Sequence, residues 1–332
     1  MAAGLVTAQQ TLTGLQPMQL RRDLAAIADL IEYAFAPSLD AAGRSAIQEM
    51  RLISRTGALL WALGRLNKAM PGLSGGFVWY ESGRLVGNVS ISPAESLPCY
   101  GKGWVIANVA VYPEFRRRGI ARRLMQASLD WITRHGTFAT LQVEADNPNA
   151  RALYESMGFI TQRSFIRWRR PISHHFLPPM NPADIRPLIR RDSARLFTLA
   201  ERVRPNESGG LGWLRPTEKK RFRPPRLGGM LGIFNEHRMF YWGVPSESGA
   251  ELDGALLAEQ RFGLSTVLFD VLVAPEHQGE LGAALVNHVI RAVAGRHQPL
   301  VTDHPADDSL MADVLKGNGF VPERELVHML WR

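Results

Sequence analysis

One cysteine, Cys99, is all that the 332 residues provide, so no intrachain disulfide and no cysteine-based zinc site can form. A reducing, cytoplasmic setting suits such a chain. No stretch approaches the apolar length that a membrane-spanning helix needs, and the opening MAAGLVTAQQTLTG lacks the basic start and apolar core of a signal peptide. The sequons Asn88-Val89-Ser90 and Asn206-Glu207-Ser208 then carry no meaning. The glycine-rich run Gly72 to Gly76 lacks the Gly-Lys-Ser/Thr ending of a nucleotide P-loop and reads as a flexible turn. A convincing Cys-His or Ser-His-Asp constellation is also missing, and no metal is expected.

What remains is ordinary for a globular protein, with 45% hydrophobic and 21% charged residues. The length suggests two domains. The formal net charge is +8, which raises nucleic-acid or membrane-surface binding as functions. That charge is clustered, at Arg116 to Arg123, Arg163 to Arg170 and Arg215 to Arg226. The third cluster is proline-interrupted and polar and reads as a solvated loop. No nucleic-acid module is recognisable, so neither nucleic acid nor membrane is expected as a partner.

The chain is organised around Val109 to Met125. Ile106, Val109 and Val111 suit a buried strand, which Pro113 ends because proline cannot donate to a sheet ladder. Ile120, Leu124, Ser128 and Ile132 then fall on one helical face. Between them lie Arg116, Arg117, Arg118, Gly119, Ile120 and Ala121. A helix start leaves its first N–H groups unpaired at the positive end of the macrodipole, so an anion there gains several hydrogen bonds at once. Gly119 lets the backbone approach a ligand closely, and the arginines add charge.

Arg116-x-x-Gly119-x-Ala121 after a Val-x-Pro strand end resembles the pyrophosphate loop of the GNAT superfamily of acyl-CoA-dependent N-acyltransferases. A second signature follows in the expected order, with Asn147, Ala150, Leu153 and Tyr154 and then the stop Gly158-Phe159. The resemblance covers residues 17 to 170 and implies an α/β fold, a mixed sheet flanked by helices. From Gln16 a short strand precedes a helix N-capped by Asp23, then come a helix from about Ala41 to Leu66, a hairpin around Glu81 to Arg84, and the central strand Trp104 to Val111. After Phe159, Ile160 to Trp168 should close this first sheet.

An internal repeat follows. Val111-Tyr112-Pro113-Glu114 is echoed by Val273-Ala274-Pro275-Glu276, and Gly158-Phe159 by Gly319-Phe320. The two offsets, 162 and 161, differ by one residue, and the loss falls in the loop. Gln278, Gly279 and Glu280 stand opposite Arg116, Arg117 and Arg118, Gly119 has no counterpart, and Leu315 replaces Tyr154. Two tandem GNAT-like domains are therefore expected. A tail spans 1–14, an acyl-CoA-binding catalytic domain 15–170, a linker 171–183 and a degenerate copy 184–332. His174-His175 and Pro178-Pro179 mark the junction. A tandem enzyme active in its second half is the alternative.

The resemblance implies direct transfer of an acetyl group from acetyl-CoA to a primary amine of a small molecule or peptide, within a ternary complex. The amine must lose a proton and the leaving thiolate must gain one. Tyr154, at the family's tyrosine position, is the implied general acid. Backbone groups at Val109, Ala110 and Val111 are implied to hold the pantetheine arm, and an N–H near Val109 to stabilise the oxyanion. Arg116, Arg117, Arg118, Gly119, Ile120, Ala121 and Arg122 would hold the phosphates. Asn147, and less directly Asn149, would orient cofactor and helix, or simply cap the helix. Where many members carry a carboxylate on the central strand, this chain has Asn108, whose amide cannot accept a proton. Glu144, Asp146 or an ordered water would have to replace it. A non-catalytic acyl-CoA-binding protein therefore stands beside the enzyme as a second function. A monomer or homodimer is expected.

Overall fold

The computed structural model describes residues 12–36, 39, 41–66, 75–94, 100–172, 184–212, 215–224, 237–261, 266–293 and 298–332. Cys99, most of the glycine-rich turn, the tail through residue 11, and the His174-His175 and Pro178-Pro179 junction lie outside them. The chain runs β1 (Gly14–Pro17), α1 (Leu20–Phe35), α2 (Ala41–Leu66), β2 (Gly75–Glu81), β3 (Arg84–Pro93), β4 (Gly103–Val111), α3 (Ile120–Ile132), β5 (Phe138–Glu144), α4 (Pro148–Glu155) and β6 (Ile160–Arg170). It continues with β7 (Arg186–Pro187), α5 (Ser193–Val203), β8 (His237–Pro245), β9 (Leu252–Arg261), β10 (Val267–Val273), α6 (Gln278–Val293), β11 (Leu300–Pro305), α7 (Ser309–Gly317) and β12 (Val321–Trp331). This is the mixed α/β class expected, with helices flanking mixed sheet. By compactness the chain divides into Met1–Leu141 with Trp331–Arg332, and Gln142–Leu330.

In the first unit β1, β2, β3 and β4 pair antiparallel in that order, and β4 pairs parallel with β5. The amphipathic pattern of α3 is realised. Ile120, Leu124, Met125, Ser128, Leu129 and Ile132 are its buried residues, and each large aliphatic among them contributes roughly 1.5–3 kcal/mol by burial. Gly87 of β3 makes room for this face: a Cβ there would stand 3.1 Å from both Ile120 and Leu124 side chains. On α1, Leu24, Ile27, Leu30 and Ile31 pack with Val78, Tyr80 and Ala110. Asp23 does not cap α1 as expected. The helix starts at Leu20 with Gln19 as its N-cap, and Asp23, in the first turn, reaches back to accept from the Gln19 N–H at 2.7 Å. Fully buried, it also accepts from the Tyr80 hydroxyl at 2.7 Å. The sequence favoured an acidic cap, but the carboxylate does more by tying helix to strand.

In the second unit β12, β6 and β11 pair antiparallel, β11 pairs parallel with β10, and β9, β8 and β7 follow antiparallel. Ile160 to Trp168 therefore does not close the first sheet. Strand β6 lies between β11 and β12, with Phe165 and Trp168 buried. Arg163 pairs with Asp307 and Arg167 with Asp303. Those partners come from the β11–α7 region, which fixes β6 by charge as well as by ladder.

Candidate functional site

Strand β4 carries an irregularity that alternation does not reveal. Asn88 pairs with Ala110 and Ser90 with Ala107, so Asn108 and Val109 together oppose the single residue Val89. This is a β-bulge, and Asn108 takes a left-handed conformation at φ 53°. The parallel pairing of β4 with β5 is confined to Gly103–Val105 against Phe138–Thr140, so the ladder on that side stops before the bulge. The backbone near Val109 to Val111 is thus irregular just where a pantetheine arm is expected.

Beyond the strand, the turn is built for an anion. Arg117 (φ 63°) and Gly119 (φ 75°) are both left-handed on either side of Arg118, an alternation that turns successive N–H groups toward one concave side. Gly119 is the N-cap of α3 and no side chain caps the helix. The first-turn amides of Ile120, Ala121 and Arg122 therefore face a site with the dipole's positive end behind them. A Cβ at Gly119 would meet nothing within 4 Å. Glycine is needed here for its dihedral angle, and the space before it is open.

The three arginines are not equivalent. Arg116 Nε donates to the Val111 carbonyl at 3.0 Å, closing the turn on the strand. Arg118 donates to the Glu114 carbonyl at 3.1 Å and lies over the Phe115 ring. Arg84 pairs with Glu114 at 3.0 Å and stacks on Tyr112. Arg116 and Arg118 thus spend hydrogen bonds on shaping the loop. Arg117, exposed and with no ion pair among the described residues, carries its charge outward.

Of the other candidates, Glu144, Asn147, Asn149 and Tyr154 lie in the second unit. Asn147 N-caps α4, accepting from the Ala150 N–H at 3.1 Å, so its side chain already has a structural task. Glu144 is half-buried and Asn149 exposed. Tyr154 is buried against Phe159, with ring centroids 6.0 Å apart. Burial pushes its hydroxyl up to about 12, so it holds its proton at neutral pH and is a donor, never a base.

The corresponding stretch of the second unit keeps the helix cap, with Asp308 accepting from the Met311 N–H at 3.0 Å, but differs at the strand and the turn. Strand β10 pairs with β9 in unbroken register from Val267 to Val273. Helix α6 starts at Gln278, directly after the short turn Pro275–His277, and no residue between Val273 and Val293 is left-handed. Asp270, 162 residues after Asn108, is largely buried, which raises its pKa against the opposing pull of Arg215. Arg215 Nη1 stands 3.0 Å from Asp270, and its Nη2 stands 3.6 Å from Asp303 on β11. The stretch read as a solvated loop is therefore not one over its described part. Thr217 and Phe222 are buried and Arg215 bridges two strands. Apolar residues hidden among the arginines and a carboxylate partner far along the chain overturned that expectation. Nearby, the His304 Nε2–H donates to the Asp308 carboxylate at 2.9 Å, and desolvation lowers the His304 pKa to about 4.

Sequence reasoning missed the residues that hold the bulge. Asn88 Nδ2 donates to the Asn108 carbonyl at 3.0 Å and lies 3.3 Å from Ser90 Oγ, which also accepts from Asn108 Nδ2 at 3.3 Å. The signal was present, since Asn88, Ser90 and Ser92 are polar at alternate positions of an otherwise apolar strand and all are buried.

A bulged strand, a left-handed glycine and an uncapped helix start thus follow one another in the first unit, an α/β domain. Comparison with known proteins agrees. Residues 48–159 match the acetyltransferase (GNAT) family, and the chain carries a domain of that family. N-alpha-acetyltransferase RimI of Mycobacterium tuberculosis is 34% identical over 110 residues, 33% of this chain and 66% of that protein. Mycothiol acetyltransferase of Mycobacterium sp. strain JLS is 30% identical over 105 residues, and the match spans 31% of each chain. A solved tandem GNAT protein from the clavulanic acid biosynthesis pathway superposes with a TM-score of 0.57 at 18% identity, over 95% of this chain and 97% of that one. That likeness is one of fold. No helix among the described residues is long and apolar enough to cross a membrane.

Proposed function

We propose that this protein is an N-acetyltransferase that moves an acetyl group from acetyl-CoA to a primary amine of a small molecule or peptide, directly and without an acyl-enzyme. The observation that carries the reading is the uncapped start of α3 behind left-handed Gly119, with open space before it. Such a start suits an anion, a pyrophosphate among them. The relatives are named for mycothiol acetylation and for N-alpha-acetylation, so a small-molecule amine and a peptide amine are both in scope.

In this reading the N–H groups of the turn and of Ile120, Ala121 and Arg122 hold the phosphates, Arg117 adds charge, and the Val109 N–H receives the thioester oxygen. Tyr154 is the proton donor to the leaving thiolate, the role its family position implies, and its protonated state at neutral pH supports it. A carboxylate base is missing at Asn108, so a water or Glu144 takes the amine's proton. The second half, 184–332, is a degenerate copy with an acceptor-shaping or structural role, and one acetyl-CoA binds per chain. Asn108 also favours a second reading, an acyl-CoA-binding protein without turnover.

Calorimetric titration of acetyl-CoA, followed by a screen of primary amines for release of free CoA thiol, tests both. Saturation at one site per chain with turnover on an amine supports the enzyme. Binding without turnover on any amine supports the non-catalytic protein, and no binding overturns both.

A further inference from the structure

Asn88 is fully buried, yet its Oδ1 has no hydrogen-bond partner. Leaving a buried amide oxygen unpaired is costly, and a leucine of similar size would avoid that cost. The other half of the amide explains the choice. Its Nδ2 grips the carbonyl of Asn108 at 3.0 Å. In a trans peptide the C=O of one residue and the N–H of the next point in opposite directions. Fixing the Asn108 carbonyl toward Asn88 therefore fixes the Val109 N–H away from it.

The same network holds Asn108 in its left-handed conformation. Ser90 Oγ ties both asparagine side chains together, and a left-handed non-glycine residue needs such local support. Strand alternation sets the face. Gly87 looks onto Ile120 and Leu124 of α3, so Asn88 and Ser90 look to the opposite side of the sheet, the side on which Ala110 packs with α1. The clamp is thus separate from the phosphate turn and acts only on the bulge.

We propose that Asn88 is a positioning residue for acyl transfer: by holding the Asn108 carbonyl it aims the Val109 N–H at the thioester oxygen of acetyl-CoA. This rests on the acyl-CoA reading above. Asn88 touches no substrate and acts through the peptide bond it orients.

The test compares two ligands on the full chain. Acetyl-CoA reaches the bulge, whereas adenosine 3′,5′-diphosphate has neither pantetheine nor thioester and reports the phosphate end alone. Asn88→Leu should weaken acetyl-CoA about tenfold, the loss of one well-aimed hydrogen bond, and leave adenosine 3′,5′-diphosphate within about twofold. Ser90→Ala, a milder change that keeps the chain folded if Asn88→Leu does not, should show the same selectivity at about two- to threefold. The Val109 amide resonance should move on adding acetyl-CoA to the wild type and fail to move in the variant, a readout that a merely structural role would leave unchanged. Equal weakening of both ligands, or of neither, overturns the assignment. A wild type that binds neither ligand removes the acyl-CoA reading itself, so the two failures are distinct.

Discussion

Twice the chain runs from a buried strand through a short turn into an amphipathic helix, once in β4 and α3 and once in β10 and α6, and the two runs differ in backbone and in charge pairing. In the first, Gly119 leaves the amides at the start of α3 without a side-chain cap, Asn108 sits strained in a bulge, and Asn88 carries an unpaired oxygen. In the second the strand is in unbroken register, the helix starts at once, and Arg215 is matched to both Asp270 and Asp303. Unsatisfied groups and left-handed residues cost free energy and gather where a ligand or a reaction uses them. The second run has neither a bulge nor a left-handed residue, although Asn287 of α6 also carries an unpaired Oδ1.

The sharpest way to break this comparison is to put the same side chain at the corresponding turn of each run. Gly119→Glu places a carboxylate and a Cβ at φ 75° where the proposed pyrophosphate site lies, and should weaken acetyl-CoA more than about 100-fold, as lost charge-assisted contacts add to repulsion. Gly279→Glu changes an exposed position with nothing within 4 Å of the new Cβ and should leave affinity unchanged. Calorimetry of both variants decides. Equal loss in the two would mean that the turns are equivalent after all.

Tyr154 and its counterpart Leu315 sharpen the contrast at the level of chemistry. Both are buried, but only the first carries a proton. Tyr154→Phe keeps the ring against Phe159 and removes the hydroxyl, so turnover on an amine should fall about 100-fold, in the range of a lost general acid. The affinity for acetyl-CoA should hold. Unchanged kcat would end the acid role.

Acid should separate the two units. His304 and His328 are buried in the second, and desolvation sets both near 4. Their native pKa values lie below the unfolded value near 6.5, so the unfolded chain binds more protons between those limits. The stability they contribute is present above about pH 6.5 and is lost as pH falls toward 4, by up to a few kcal/mol. His135, in the first unit, is exposed. Hydrogen exchange at pH 7 and pH 5 should show protection falling first in β11 and β12, and equal loss in β3 and β4 would contradict this.

Much of the first run was legible because its residues are local. Pro113, Gly119, the Ile120-Leu124-Ser128-Ile132 face, the Asn147 cap and the Gly158 stop each act within a turn or two of sequence. What stayed hidden acts across strands. The bulge at Asn108 depends on side chains of β3, and periodicity places Val109 in a regular strand. Arg215 reads as solvent-facing because Asp270 and Asp303, its partners, are 55 and 88 residues away. The placement of β6 was misjudged for the same reason, since a strand's neighbours are not written in the strand.

The smallest effect expected is the most direct exchange between the runs. Asp270→Asn gives the second strand the residue that the first has at Asn108. Burial holds the Asp270 pKa above its ordinary value although Arg215 pulls it down. A carboxyl raised in the native state contributes its stability below the unfolded pKa and loses it as pH rises through the native one. As a carboxylate beside Arg215, Asp270 bears a desolvation cost that its pairing only offsets. Removing the charge relieves that cost, while Arg215 keeps Asp303 at 3.6 Å, so the loss should fall well short of the roughly 3–5 kcal/mol that follows when a buried charge is left uncompensated. Chemical denaturation at pH 7 measures it. A loss above about 2 kcal/mol would mean that the Arg215–Asp270 pair is a main support of the second unit, and the view of that half as relieved of functional strain would need a stronger reason for keeping a charge there.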